Sequence, residues 1–192
     1  MMDDEPDADR RITLAALRTN LILRSYAGTD AAACASIFER AWHAGHPYAP
    51  RRIGLDEFRR ETAKRSIIVA QTDHGRVLGF AAVYMPDAFV HHLYVEPAHA
   101  GQGIGRVLLG AALALAGGRA TLKCQARNMG ALQFYRREGW TEGERGETDG
   151  EPWIRMLSPI PTLMRAALAT SAKQGSPPRQ QRYASARSVD GS

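Results

Sequence analysis

The chain has 192 residues and a formal net charge of +5, enough length for one domain with a sizeable core and too little for two ordinary ones. Apolar residues make up 44% of it, with charged residues mixed among them, which excludes a wholly disordered chain. The longest apolar stretch, 107–116, is far short of a bilayer span, so no membrane partner is expected.

Residues 1–20 open with Asp3, Asp4, Glu5, Asp7 and Asp9. That is the opposite of the basic start of a secretory leader, and a cytoplasmic location is the expectation. No sustained period follows, so 1–20 read as a flexible segment. The folded domain is predicted over 21–158. Residues 21–26 read as a short strand. Thr29 or Asp30 can cap a helix running through Ile37, Phe38 and Trp42, and Gly45 and Pro47 end it. Residues 55–64 form a second helix. Residues 66–71 are rich in β-branched residues, turn at Asp73-His74-Gly75, and are answered by 76–84 as a hairpin. Residues 89–95 are a further strand, stopped by Pro97.

A helix over 103–115 ends at Gly117-Gly118. A strand over 120–125 follows, then a helix capped by Asn128 and closed near Gly139. Residues 140–143 and 153–157 fit a closing hairpin around the turn-rich 147–150. The order β-α-α-β-β-β-α-β-α-β-β predicts an α/β (α+β) domain. Its central sheet is mixed, mostly antiparallel and flanked by helices, and is not a doubly wound one. Residues 159–192 are rich in Ser, Pro, Gln and Arg. They carry Arg165, Lys173, Arg179, Arg182 and Arg187 against Asp190 and read as a basic, largely disordered tail. Such a tail is a solvated segment or a contact for nucleic acid. The first reading is preferred, and nucleic acid is not an expected partner.

Cys34 and Cys124 are the only cysteines. Both sit in apolar surroundings and read as small buried hydrophobes. No metal-ligand spacing is present, and His91, His92 and His99 are not placed to converge, so no metal is expected.

The chemistry concentrates in 90–106. Gly101, Gly103 and Gly105 alternate directly after a strand and open a helix. Glycine allows positive φ and close approach of backbone to ligand. The unpaired amides of a first helical turn, beside the positive end of the helix dipole, make a phosphate site. Arg106 adds a positive charge. The spacing fits neither the dinucleotide fingerprint nor the P-loop. In 128–140, Leu132 and Tyr135 share one face of a helix, with Ala131 beside them. That tyrosine is either part of the core or a proton donor.

Taken together, the strand-Pro-Gly-x-Gly-x-Gly-helix segment and Asn128-x-x-Ala131-x-x-Phe134-Tyr135-x-x-x-Gly139-Trp140 resemble the GNAT superfamily of N-acetyltransferases. The resemblance covers nearly all of 21–158 and implies the GNAT-like acyl-CoA N-acyltransferase fold. It also implies acetyl-CoA as acyl donor and a small-molecule or peptide amine as acceptor. The backbone of Leu93, Tyr94 and Val95 would pair with the pantetheine arm. Amides of Ala100, Gly101, Gln102, Gly103, Ile104, Gly105 and Arg106 would hold the pyrophosphate. Asn128 would contact the pantetheine or orient the cofactor, and Tyr135 would protonate the departing thiolate.

One departure is Ala100, where the family usually has Gln or Arg. Weaker cofactor binding is expected from it, and a catalytically inactive acyl-CoA-binding regulatory module is the first alternative function, with a nucleic-acid-associated protein acting through its basic tail the second. Base candidates are His91, His92 and Glu96. A regular strand turns only one of the two histidines to the cleft, and His92 is the chosen one. The first two helices, their loop and the closing hairpin would line the acceptor pocket, which brings in Trp42, His43, His46, Tyr48 and Trp153. A homodimer stays open.

Overall fold

The structure is a computed structural model that describes residues 21–159. The flexible N-terminal segment and the basic tail expected from the sequence lie outside the described residues, apart from Pro159. The elements follow the expected order. Strand β1 (Leu21–Ser25) leads to helices α1 (Ala31–Gly45) and α2 (Leu55–Thr62). Strands β2 (Ser66–Thr72), β3 (Val77–Tyr84) and β4 (Phe89–Val95) come next. Helix α3 (Ile104–Leu115), strand β5 (Thr121–Gln125) and helix α4 (Met129–Arg137) precede the closing strands β6 (Thr141–Thr148) and β7 (Glu151–Leu157). No helix among the described residues is long and apolar enough to cross a membrane.

One seven-stranded sheet runs β1-β2-β3-β4-β5-β7-β6. Every neighbouring pair is antiparallel except β4 and β5, which are parallel and register at a single pair, Phe89 and Thr121. Beyond that pair the two strands part, and the sheet splays open in the middle.

Each face has its own core. On one, Ile104, Leu108 and Leu109 of α3 and Leu132 and Tyr135 of α4 pack on Leu78, Val83, Val90, Leu122, Ile154 and Met156. On the other, Cys34, Ala35 and Phe38 of α1 and Phe58 of α2 pack on Val69, Phe80 and Tyr94. Both cysteines are buried and free, as expected.

Asp30 does not cap α1 with its side chain. Its carboxylate accepts the Ala27 N–H at 2.8 Å and both terminal nitrogens of Arg24, so it ties β1 to the start of the helix. Asn128 does cap α4, its Oδ1 accepting the Ala131 N–H at 3.0 Å. The closing hairpin is longer than predicted. Its first strand, Thr-Glu-Gly-Glu-Arg-Gly-Glu-Thr, has no apolar alternation because it is an exposed sheet edge. A two-residue turn sets the pairing, with Asp149 at φ 51° and Gly150 at φ 77°, the left-handed pair that suits the twist of a tight hairpin.

Candidate active site

The loop before α3 takes the conformation that its glycines were expected to permit. Gly101 and Gly103 lie at φ +76° and +84°, and a Cβ built on either meets no atom within 4 Å. Gly103 is the N-cap of α3, and Val107 is the residue whose N–H returns to the Gly103 carbonyl, at 3.1 Å. Helix geometry therefore leaves the amides of Ile104, Gly105 and Arg106 without an intrahelical acceptor. Gly105 faces α4, where a Cβ would meet the Phe134 ring at 3.5 Å in ordinary van der Waals contact, so the packing does not demand a glycine there. Arg106 is not an isolated charge, because its Nε donates to both carboxylate oxygens of Glu138, each at 2.9 Å.

Next to this loop lies a cleft of about 630 Å³. The end of α1 and Tyr48 form one wall, Val95, Pro97 and Ala100 the floor, and residues 127–131 the other wall. It opens along the part of β4 that β5 no longer pairs with. Backbone groups of Leu93 and Val95 on that side have no strand partner, so an extended ligand can add there as a strand does.

Tyr135 is buried on α4 against Phe134 and Trp140, with ring centroids 5.2 and 5.9 Å away. Burial lifts its phenol well above the ordinary tyrosine range, and the Cys124 thiol and the Tyr94 phenol push it the same way. Tyr94 belongs to the opposite face, stacked on Phe38 at 4.4 Å. The two phenols thus belong to opposite faces of the sheet. The sequence reading used Tyr94 for its backbone alone. Nothing in the sequence marks its side chain, because its stacking on Phe38 joins distant parts of the chain.

Three expectations for the base candidates are corrected. A β-bulge in β4 leaves His91 extra between the pairs Ala82–His92 and Val83–Val90. The bulge resets the alternation, so both histidines fall on the α1/α2 face, with ring centroids 6.2 Å apart. His92 is not at the cleft. It is 8% exposed, set among Phe38, Phe80 and Tyr94. Its Nε2 lies 3.3 Å from the Glu61 carbonyl oxygen, which makes Nε2 the donor, and its Nδ1 has no partner. Burial pushes the imidazole down to about 4. Glu96 is not a free base. It is buried, its carboxylate is gripped by Arg40 of α1, with Nε at 3.0 Å, and that contact holds it below the usual range.

His92 therefore marks stability against pH. The unfolded side chain takes up a proton near 6.5, whereas the folded one resists until about 4. The unfolded state binds more protons between those values, so stability falls as pH drops through this window. At about 1.4 kcal/mol per pKa unit, the loss is on the order of 3 kcal/mol. Thermal melts should show a flatter decline from pH 6.5 to 4 for His92→Gln than for the parent. Equal slopes would mean that the decline comes from other groups.

The expected acceptor residues divide. Trp42 donates its indole N–H to the Ala49 carbonyl at 2.6 Å and stacks on His46, centroids 4.0 Å apart. His46 is buried. Its Nδ1 lies 3.1 Å from the Trp42 carbonyl oxygen, and its Nε2 lies 3.3 Å from Asn128 Nδ2. Both are tied into the framework, and so is the Asn128 amide, with one end on the helix and the other on His46. His43 is exposed, its Nε2 2.7 Å from the Arg51 carbonyl oxygen. Tyr48 faces the cleft and donates its hydroxyl to Gln125 Oε1 at 2.9 Å.

Trp153 stands half-buried on the open face of β7 above Gly146, and a Cβ at 146 would overlap its indole. Gly146→Ala should cost about 1–3 kcal/mol, the usual range for overpacking, and should change the tryptophan emission. Parental stability in urea denaturation would show that the indole moves aside freely. Two residues that the sequence reading passed over belong to this neighbourhood. Arg51 lies over Trp42 at 5.0 Å and is bound to both Glu57 and Glu61. In a helix as charged as Leu-Asp-Glu-Phe-Arg-Arg-Glu-Thr, no signal singles out Glu61.

The model of the acetyltransferase (GNAT) family matches residues 31–140, from the start of α1 to the end of α4. The chain belongs to the GNAT acetyltransferase family. No curated protein matches it. Among solved structures, the apo form of YjaB from Escherichia coli is 22% identical with a TM-score of 0.63, covering 73% of this chain and 98% of its own. The putative acetyltransferase yncA from Salmonella typhimurium, solved with its cofactor acetyl-CoA, is 21% identical with a TM-score of 0.57, covering 74% and 95%. The ribosomal-protein-S18-alanine N-acetyltransferase from Escherichia coli is 23% identical with a TM-score of 0.58, covering 73% and 94%. These likenesses establish the GNAT fold for the described domain.

Proposed function

We propose that this GNAT protein is an N-acetyltransferase that passes the acetyl group of acetyl-CoA to a primary amine of a small molecule or peptide by direct attack. The observation that carries the proposal is the continuity of the site. The loop that leads to the free amides of α3, the end of β4 and the first turn of the helix that carries Tyr135 meet at one cleft. A long pyrophosphate-containing thioester fits this set: its charge meets the Gly101–Arg106 backbone, and its arm can add to Leu93 and Val95. Acetyl-CoA, when bound, supplies an activated acyl group. The Ala100 amide already donates to the Pro97 carbonyl at 3.1 Å, so Ala100 adds no free donor and the phosphate contact falls to the amides of 101–106.

The protein's own residues then manage two protons. Tyr135 stays protonated at neutral pH and can give its proton to sulfur. The donor is well matched only if sulfur is also poorly solvated, and the neighbouring Cys124 thiol, pushed up to about 12 by burial, shows how basic a thiolate becomes there. The amine must lose a proton first. An imidazole held near 4 is a poor acceptor for an ammonium of about 8–10, so we give His92 a packing role and assign the amine proton to water. The rate should then rise with pH along the titration of the amine, not near 6–7.

Measuring CoA release with an amine panel tests the function. Acetyl-CoA binding without release by any amine would favour the inactive acyl-CoA-binding module instead.

A further inference from the structure

The half of the sheet beyond the splay is covered by α4 on one face only, since Leu122, Cys124, Ile154 and Met156 point into that core. The alternate residues Lys123, Gln125, Trp153 and Arg155 stand on the other face, where no helix among the described residues covers them. This face carries a row of cations. Lys123 and Arg155 are directly opposed across β5 and β7, an arrangement of like charges that destabilises a sheet. Both reach the same indole, Lys123 Nζ at 3.8 Å from the Trp153 centroid and Arg155 Cζ at 5.9 Å.

His91 and Lys123 each stand two residues beyond the Phe89–Thr121 pair, on the two sides of the opening. Arg65 continues the row, its Nη2 3.3 Å from His91 Nδ1. Its Nε is buried without a partner. The nearby acids do not balance the row. Glu144 is bound to Arg155 and Glu61 to Arg51, while Asp87, in the β3–β4 turn, acts on His91 but forms no ion pair with the cations of the row. Neither Lys123 nor Arg65 has a carboxylate partner among the described residues.

Resting on the transferase reading above, we infer that the acceptor amine carries a carboxylate, which Lys123 binds on the open face beside Trp153 with Arg65 and Arg155 flanking it. The geometry also sets its reach. Residues 93–95, where the thioester arm would lie, are two to four residues beyond the level of Lys123. At about 3.3 Å per residue this is roughly 7–13 Å, so the carboxylate is remote from the amine, not on the adjacent carbon. The indole packs along the intervening chain of the acceptor.

The test compares ω-amino acids of increasing length with alkylamines of matched length, at low and at high salt. The carboxylate should raise kcat/KM by about 10–100-fold, the usual range for a hydrogen bond to a charged group. The gain should peak at the longer acids and shrink with added salt. Lys123→Gln should bring the acid-to-alkylamine ratio close to one, and Lys123→Arg should retain it. A ratio near one in the parent protein, or a ratio unmoved by Lys123→Gln, overturns the inference.

Calorimetric binding of the same compounds separates this inference from the transferase reading. If no amine is acetylated but the ω-amino acids bind in a Lys123-dependent way, the anion site stands and the transferase reading falls. If alkylamines are acetylated as fast as the acids, the transferase reading stands and the anion site falls.

Discussion

Gly103→Asp abolishes acetyl-CoA binding in a protein that remains folded. Residue 103 sits at φ +84° with open space where a Cβ would go, so a short side chain fits, and Asp is among the residues that best tolerate that conformation. Its carboxylate would stand at the mouth of the free amides of α3, where the pyrophosphate would bind. Hydrogen bonds to charged groups contribute about 1.5–3 kcal/mol each. Losing one and adding repulsion should weaken binding by about two orders of magnitude or more. Gly103→Asn keeps the shape and the backbone strain without the charge, and should bind between the two. Calorimetric titration decides the matter. Parental affinity in a folded Gly103→Asp protein would place the donor elsewhere.

Tyr135→Phe lowers kcat and leaves acetyl-CoA affinity nearly unchanged. The Tyr135 side chain is buried. The phenylalanine ring keeps the packing against Phe134, Trp140 and Leu132. What is lost is a proton that matters as sulfur gains charge. General-acid assistance is worth about 10²–10⁴-fold, and a thiolate is already a good leaving group, so a fall near the lower end is expected. Because burial raises the phenol above its ordinary range, Tyr135 should add no falling limb to the pH profile below about pH 10. Steady-state kinetics and cofactor titration on the same variant check both statements. A parental kcat would assign Tyr135 to the core alone.

The element order, the glycine loop, the Asn128 cap and the buried faces of α3 and α4 were all legible in the sequence. Each depends on residues within a turn or two of one another. A positive φ is a property of one glycine and its neighbours. A cap is made by a side chain three residues from the amide it serves. An apolar stripe is a matter of period. The same locality explains why Gly101-x-Gly103 encodes a left-handed loop and Asn128-x-x-Ala131 a helix start.

Other features came only with the tertiary structure, because they are set by contacts between distant parts of the chain. The strand over 141–148 has no apolar period, and its pairing with β7 is what makes it a strand. The bulge at His91 follows from how β3 meets β4, and it moved His92 from the cleft into a helix-covered core. Glu96 meets Arg40 across 56 residues and Asn128 meets His46 across 82. No local pattern encodes either contact, yet they decide which polar groups are spent on the framework. The parting of β4 from β5 after one registered pair belongs to the same class. By itself the sequence determined where backbone amides could be left free for a phosphate and which tyrosine the helix would bury. Only the assembled sheet decided that β4 parts from β5 beside the loop before α3 and that Lys123, Trp153 and Arg155 share a face that no described helix covers, because strand order and register are chosen by the packing of both faces together.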